Sequence, residues 1–228
     1  MLCVAIFFAS YLGFVLTGAG QRWDRDVFRR LSTETSTVVQ DFSSWLLARI
    51  GCVPLLLGTT LGVLAIGFLR RIPRTGVLAA AVIPCSIGAS RLLKVVVLDR
   101  PELGPEPELA HNTFPSGHVT AATATGLALL MVAPRTASPW LFAVDVVLAV
   151  LAGLAVVIAG WHRPSDAIGA AALAGAVYCS LALVVRAGRR VTTRAKHRRP
   201  RGRRSRASAA SSAPLPRCRP AARTGSGS

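Results

Sequence analysis

The chain of 228 residues is 52% hydrophobic and 16% charged, and its mean hydropathy is +0.49. This composition excludes an ordinary soluble domain, in which about 25% of residues are charged. The net charge of +17 would favour nucleic-acid binding, but fourteen positive charges and no acidic residue lie from Arg186 onward, which leaves only +3 for the rest. Because no aromatic residue interleaves these arginines, we expect no nucleic-acid partner.

Apolar stretches that are long enough to cross a bilayer recur along the chain. A spanning helix needs about 20 mostly apolar residues, so the pattern predicts an all-α, polytopic membrane helical bundle with about six transmembrane helices. The first stretch ends in small residues, as a signal peptide does, but it lacks a basic amino-terminal region, and we interpret it as a retained helix. The fourth stretch is the shortest. The predicted spans are Leu2–Ala19, Ala48–Leu69, Val77–Leu98, Val119–Ala133, Trp140–Gly160 and Ala167–Val185.

Arginine-rich connections between the spans indicate the topology. Residues 70–74 contain three arginines and no acid, and a second basic connection contains Arg135, so both are assigned to the cytoplasm. Alternation of six helices then places both termini inside and the connections Gln21–Trp45, Asp99–Gly117 and Trp161–Ser165 outside. The first of these carries four arginines, balanced by four acidic residues. We expect a multi-pass protein of the cell membrane.

The carboxyl-terminal segment differs in composition from the rest of the chain. Residues 188–228 are rich in Arg, Ser, Ala and Pro, and they contain too few apolar residues to offset the entropy of folding. We therefore divide the chain into a transmembrane domain at 1–187 and a basic, disordered, cytoplasmic tail at 188–228. The tail is expected to contact anionic lipid headgroups.

The second outer connection ends in Pro115-Ser116-Gly117-His118 and runs directly into an apolar helix. Free backbone N–H groups at a helix start bind anions, Gly117 allows a close approach, and the Ser116 hydroxyl adds a donor. A histidine beside such a site can donate a proton to a leaving oxygen. A capping serine and an interfacial histidine would explain the same residues without a function.

A lysine within the third span is the next candidate. Lys94 is the first lysine of the chain, and Arg100 and Pro101 follow at the outer end of the same span. An ammonium group inside a membrane helix is costly unless it reaches the interface or meets an anion. Arg91, three residues before Lys94, is predicted to share its helical face.

The third outer connection contains a histidine and an aspartate four residues apart, His162 and Asp166. The carboxylate can accept the Nδ1–H of the imidazole and leave Nε2 free to attack. Asp166 could instead serve only as an acidic residue at a helix start.

In this order and spacing, the residues between 91 and 170 resemble the type 2 phosphatidic acid phosphatase (PAP2) family, which is related to the vanadium haloperoxidases. The resemblance implies a PAP2-like fold in which His162 attacks phosphorus to form a phosphohistidine, His118 protonates the leaving oxygen and Asp166 orients His162. It implies neither a metal nor another cofactor. The residues that would hold the phosphoryl oxygens are Lys94, Arg100, Ser116 and Gly117.

The function implied is that of an integral membrane lipid phosphate phosphatase, with its site on the outer face. The substrate would be a membrane lipid of the phosphatidate or polyprenyl type that carries a phosphate monoester or diphosphate. A vanadate-dependent haloperoxidase is disfavoured because those proteins resemble the soluble branch. The hypothesis of a transporter would rest only on the number of spans and on Asp145 within the fifth predicted span.

The sequence departs from the family pattern at two positions. Arg100 follows Lys94 by six residues instead of seven, and Val156 stands where the third motif has an arginine that holds the phosphate. Arg91 or Arg163 would have to replace that arginine. The alternative function is therefore a weakened or inactive PAP2-like membrane protein that binds lipid phosphate.

Overall fold

A computed structural model describes residues 1–101, 103 and 112–198, the last ten of these by their backbone only. All regular elements of this part are helical, which confirms the predicted all-α class. The helices are α1 (Leu2–Ser10), α2 (Gly18–Thr33), α3 (Thr37–Ile50), α4 (Val53–Leu69), α5 (Pro73–Leu92), α6 (Gly117–Val132), α7 (Ser138–Ile158) and α8 (Pro164–Arg198), with π-helical turns at Tyr11–Val15 and Leu93–Val97.

The lengths and apolar composition of the helices are those of a membrane protein. Three qualify as spans on their own: α5 with its π-helical turn, α7, and α8 as far as Gly188. The pairs α1–α2 and α3–α4 qualify only together, and they are bent by 90° and 51°. Helix α6, the fourth predicted span, has 16 residues, fewer than the roughly 20 that a span needs. The described residues therefore hold three to five candidate spans, and six remains a prediction.

The 90° bend after α1 brings the polar helix α2 against the bundle. Thr17 caps α2, because its side-chain oxygen accepts a hydrogen bond of 3.0 Å from the Gly20 amide. A Cβ atom on Gly20 would lie 2.0 Å from the Gly13 carbonyl oxygen, so glycine is needed where α2 packs against the π-helical turn that follows α1. The outer connection predicted at Gln21–Trp45 thus consists largely of α2 and α3. The buried residues of α2 are Gly20, Gln21, Asp24 and Phe28.

Helix α6 packs between α5 and α7 in the middle of the bundle. Helices α4 and α5 meet almost backbone to backbone, since a Cβ atom on Gly67 would lie 2.3 Å from the Cα atom of Gly76. Such close approach is how small residues promote helix association where the hydrophobic effect is weak. The guanidinium of Arg70 donates to the carbonyl of Val132 and so ties the end of α4 to the end of α6.

The turn between α7 and α8 carries His162. Gly160 adopts a φ of 75°, which glycine tolerates far better than other residues. The amides of Trp161 and His162 both donate to the Val156 carbonyl, at 3.0 and 3.1 Å, and Pro164 then begins α8 at a position that needs no N–H group. The turn leaves His162 only 8% exposed.

The contacts divide the chain into two units, residues 1–187 and 188–228. Helix α8 continues as far as Arg198. Most of the predicted tail lies outside the described residues, so its disorder, its cytoplasmic position and its contact with lipid headgroups remain predictions.

Candidate active site

A buried carboxylate, that of Asp166, lies at the centre of the predicted site. Its Oδ2 atom accepts hydrogen bonds from the hydroxyl of Thr113 at 2.5 Å and from the amide of Arg163 at 3.0 Å. The Nδ1 atom of His162 lies 3.4 Å from the same oxygen, and Arg100 donates to Oδ1 at 3.2 Å. The side chain is fully buried, and its oxygens are held by donors on two connections, the one that precedes α6 and the turn between α7 and α8.

The contact between His162 and Asp166 determines how the imidazole can react. With a proton on Nδ1, the ring donates toward the carboxylate and presents Nε2, which carries a lone pair, on its opposite side. This is the arrangement of a histidine nucleophile or base held by an acid. At 3.4 Å the contact is the longest of the four that Asp166 makes, so the carboxylate is positioned mainly by its other donors.

A second buried carboxylate, Asp24 of α2, extends the site. Arg100 donates through one terminal nitrogen to Asp166 and through the other to Asp24, at 3.2 and 3.1 Å. Asp24 also accepts from Ser165, at 2.9 Å from the amide and 2.5 Å from the hydroxyl. In this structure the predicted phosphate ligand Arg100 therefore bridges two carboxylates that are both fully buried.

The start of α6 supplies the predicted anion-binding groups. Helix α6 begins at Gly117, and the Ser116 amide donates to the backbone carbonyl of Asp166 at 3.0 Å, which ties this helix start to the first turn of α8. The Ser116 hydroxyl is buried and has no hydrogen-bond partner among the described residues. It is therefore available as a donor to a ligand, together with the free amides of the first turn of α6.

His118 lies on the first turn of α6 and faces the turn that carries His162. Its ring lies 5.3 Å, between centroids, from that of Trp161, the residue that directly precedes His162. The residue that follows α3, Gly51, leaves space for this ring, because a Cβ atom there would lie 2.7 Å from Nε2 of His118. The two predicted catalytic histidines thus share one region of the bundle.

Lys94 belongs to the π-helical turn that follows α5, and its charge interacts with those of Asp166 and Arg91. Asn112 donates from its side chain to the carbonyls of Lys94 and Leu98, at 3.3 and 2.6 Å. Single π-helical turns often occur at functional sites. This turn contains Lys94 and ends before Arg100, so it includes part of the stretch that is one residue shorter than the family pattern.

The position of the absent third-motif arginine lies in the core. Val156 is fully buried and packs in a cluster with Leu47 and Val119. Of the two arginines considered as replacements, Arg91 is exposed on α5, whereas Arg163 is 9% exposed and directly follows His162. The fold therefore brings Arg163, and not Arg91, into the buried part of the site.

Sequence reasoning missed three residues of this arrangement: Asp24, Thr113 and Asn112. In the sequence, Asp24 is one of the four acidic residues that balance the arginines of the first outer connection. The buried positions of α2 recur at a spacing of three or four residues, and that periodicity would have placed Asp24 on an inward face. Within residues 1–101, 103 and 112–198, no group of three or more His, Cys, Asp or Glu side chains is arranged to hold a metal ion.

Together the fold and the site define a class of protein: a membrane helical bundle in which two histidines, a buried aspartate and a helix start converge. Residues 94–190 match the model of the PAP2 superfamily, which confirms the resemblance seen in the sequence. A similar fold occurs in the crystal structure of a transmembrane PAP2-type phosphatidylglycerolphosphate phosphatase from Bacillus subtilis. The TM-score is 0.65 at 20% identity, over 81% of this chain and 96% of that one. No curated protein matches the sequence significantly.

Proposed function

We propose that the protein is a metal-independent lipid phosphate phosphatase that works through a phosphohistidine at His162. The observation that carries this proposal is the contact between His162 and the buried carboxylate of Asp166, with His118 facing the same turn. One oriented histidine and a second histidine beside a helix start are the groups that transfer of a phosphoryl group to nitrogen requires.

In the first step, Nε2 of His162 forms a bond to phosphorus while the bond from phosphorus to the lipid oxygen breaks, and His118 gives that oxygen its proton. In the second step, water attacks phosphorus, the bond between nitrogen and phosphorus breaks, and His118 takes up the proton of the water. Inorganic phosphate then leaves, and both histidines return to their starting states.

Positive charge and fixed dipoles would stabilise the phosphoryl oxygens in both steps. The lysine of the π-helical turn, the Ser116 hydroxyl and the Gly117 amide at the start of α6 are the proposed donors, and Arg100 is assigned to the same set. Preorganised donors of this kind act on charge that develops in the transition state, and they need no reorganisation when the reaction occurs. Basic side chains thereby supply the charge that metal ions provide in many other phosphoryl-transfer sites.

The substrate class follows from the membrane setting. A site at the end of a bundle of apolar helices is reached by a lipid whose headgroup lies at the interface, so we assign a lipid phosphate monoester or diphosphate. Phosphatidate and polyprenyl phosphates are the candidates from the sequence, and the structurally similar Bacillus subtilis protein adds phosphatidylglycerolphosphate. Because we assign the basic connection around Arg71 to the cytoplasm, we also assign the site to the outer face of the cell membrane.

The test is phosphate release from a panel of these lipids by detergent-purified protein in the presence of EDTA. Wild type is compared with His162→Ala and with His197→Ala, a control that removes a histidine from the basic carboxyl-terminal segment. We expect EDTA-resistant release that is lost only in His162→Ala. Full activity in His162→Ala would refute the phosphohistidine, and loss of activity in EDTA would refute metal independence.

Val156 supports a second candidate function, the binding of a lipid phosphate without turnover. The site then lacks an arginine that would stabilise the transition state, and the remaining donors still hold the headgroup. Saturable binding of a lipid phosphate by wild type, with no release from any lipid of the panel, would favour this alternative.

A further inference from the structure

Asp24 makes contacts that a surface charge of an outer connection would not make. It is fully buried, and both of its oxygens accept hydrogen bonds from Ser165, which lies 141 residues later in the chain. Its Oδ2 atom also accepts from Arg100 at 3.1 Å. A buried carboxylate is costly unless its charge is paired and its oxygens accept hydrogen bonds, and Asp24 meets both conditions inside the candidate active site.

Arg100 links Asp24 to the catalytic carboxylate. The guanidinium is planar and rigid, with its donors in a fixed fork, and here its two terminal nitrogens bind different carboxylates, Asp24 and Asp166. Two anchoring points fix both the position and the rotation of a planar group. If one anchor is removed, the guanidinium is free to rotate onto the other carboxylate, whose remaining oxygen faces His162.

A helix cap alone would not explain these contacts. The bonds from Ser165 satisfy a free amide in the first turn of α8 and would count as capping. The bond from Arg100 adds nothing to the helix start, because Arg100 lies on the connection that follows α5. It connects Asp24 instead to Asp166, and through Asp166 to His162.

We propose that Asp24 is a positioning residue of the active site, which holds Arg100 against Asp166 and thereby fixes His162. This proposal rests on the phosphatase function proposed above. Asp24 itself touches neither the substrate nor the reacting atoms. Its contribution is to keep the carboxylate that orients the nucleophile in the geometry that the reaction needs.

The primary test is Asp24→Asn, which keeps the shape of the side chain and an oxygen for Ser165 but removes the negative charge from Arg100. A misplacement of about 1 Å at a reacting centre can lower the rate by about 10²-fold, and we expect a loss of that order in kcat. KM should change by less than about threefold, because ground-state binding is largely kept. The matched control is Asp26→Asn, which removes an exposed carboxylate two residues later and should retain the wild-type kcat.

Double mutants separate positioning from capping. If Asp24 acts through Arg100, the variant Asp24→Asn/Arg100→Gln should lose no more activity than Arg100→Gln alone, since effects within one contact chain are not additive. Additive losses in that pair would overturn the proposal. The proposal would also be overturned if the loss in Asp24→Asn adds to that in Arg100→Gln but does not add to that in Ser165→Ala. That pattern is expected if Asp24 acts only as a helix cap.

Two further measurements test the proposal if Asp24→Asn does not fold or if the proposed phosphatase function is wrong. If Asp24→Asn does not fold, Asp24→Glu keeps the charge but displaces the carboxylate, and a folded Glu variant with wild-type kcat overturns the proposal. If wild type releases no phosphate, the phosphatase function fails, and the ¹⁵N chemical shifts of the imidazoles in histidine-labelled protein become the measurement. A His162 signal that changes in Asp24→Asn but not in Asp26→Asn supports the positioning role. A His162 signal that is unchanged in Asp24→Asn overturns it.

Discussion

Replacement of Asp166 by asparagine tests the centre of the candidate site. The carboxylate receives four contacts: one on Oδ1, from Arg100, and three on Oδ2. An asparagine has a single acceptor oxygen, so it can serve one of these two groups of donors only. If the oxygen stays where three donors meet, the new NH₂ group lies 3.2 Å from a guanidinium nitrogen, and two donors then face each other.

The expected loss of kcat in Asp166→Asn follows from the contacts that the substitution removes. A hydrogen bond to a charged group contributes about 1.5–3 kcal/mol, which corresponds to a factor of about 10–150 in rate if it is lost only in the transition state. Loss of the charge that stabilises a positively charged His162 adds to this factor. In serine proteases, the same substitution behind a catalytic histidine lowers kcat by about 10⁴-fold. We therefore expect Asp166→Asn to lower kcat by between about 10²- and 10⁴-fold.

The assay is the initial rate of phosphate release at saturating lipid phosphate in detergent, with gel filtration and thermal unfolding to show that the variant is folded. Asp41→Asn, which changes an exposed carboxylate on α3, serves as the matched control and should keep the wild-type rate. A folded Asp166→Asn protein with a kcat within tenfold of wild type would refute the role assigned to this carboxylate.

Three further predictions concern the general acid, the packing of the bundle and the tail. His118→Ala should slow transfer of the phosphoryl group from lipid phosphates to His162 by about 10²- to 10⁴-fold but should slow the pre-steady-state burst of 4-nitrophenolate from 4-nitrophenyl phosphate much less, because that leaving group needs no proton; equal losses in this first step would contradict the acid role. Gly67→Ala should lower the thermal midpoint, because its Cβ would lie 2.3 Å from the Gly76 backbone, whereas Gly62→Ala, with nothing within 4 Å of its Cβ, should not. Truncation after Arg190 should leave the rate of phosphate release unchanged in inserted protein, and loss of activity would assign the tail a role in catalysis.

The fold class was predictable from the sequence because lipid admits few backbone structures. Apolar stretches of about 20 residues in a membrane must form helices, since all of their backbone groups need internal hydrogen bonds. The directions of the helices were not predictable. Leu2–Ala19 was predicted as one span, but the helix ends near Val15 and the chain turns by 90° at the Thr17 cap. An apolar stretch has the same hydropathy whether it forms one straight helix or two helices joined by a bend, so hydropathy alone does not predict the bend.

The candidate site was predictable where its chemistry is local in sequence. His162 and Asp166 are four residues apart, on the turn that opens α8, and Ser116 directly precedes the first residue of α6. Asp24 meets Ser165 across 141 residues, and Thr113 meets Asp166 across 53. No spacing rule relates residues that far apart, and their contacts arise only when α2 and the second outer connection pack against the start of α8.

The charges of the site bear directly on the choice between a phosphatase and a binding protein. Arg100 is shared by two buried carboxylates, and Val156 contributes no charge. Among the residues that the structure describes, the other positive groups near His162 are Lys94, Arg163 and the start of α6. These groups bind the phosphate in the ground state as well as in the transition state, and the part of their binding that is common to both states lowers KM without raising kcat. An arginine that closes on the developing charge acts on kcat instead. A protein with this set of donors therefore binds phosphate in either case, so the difference in turnover between wild type and His162→Ala, and not phosphate affinity, separates the two functions.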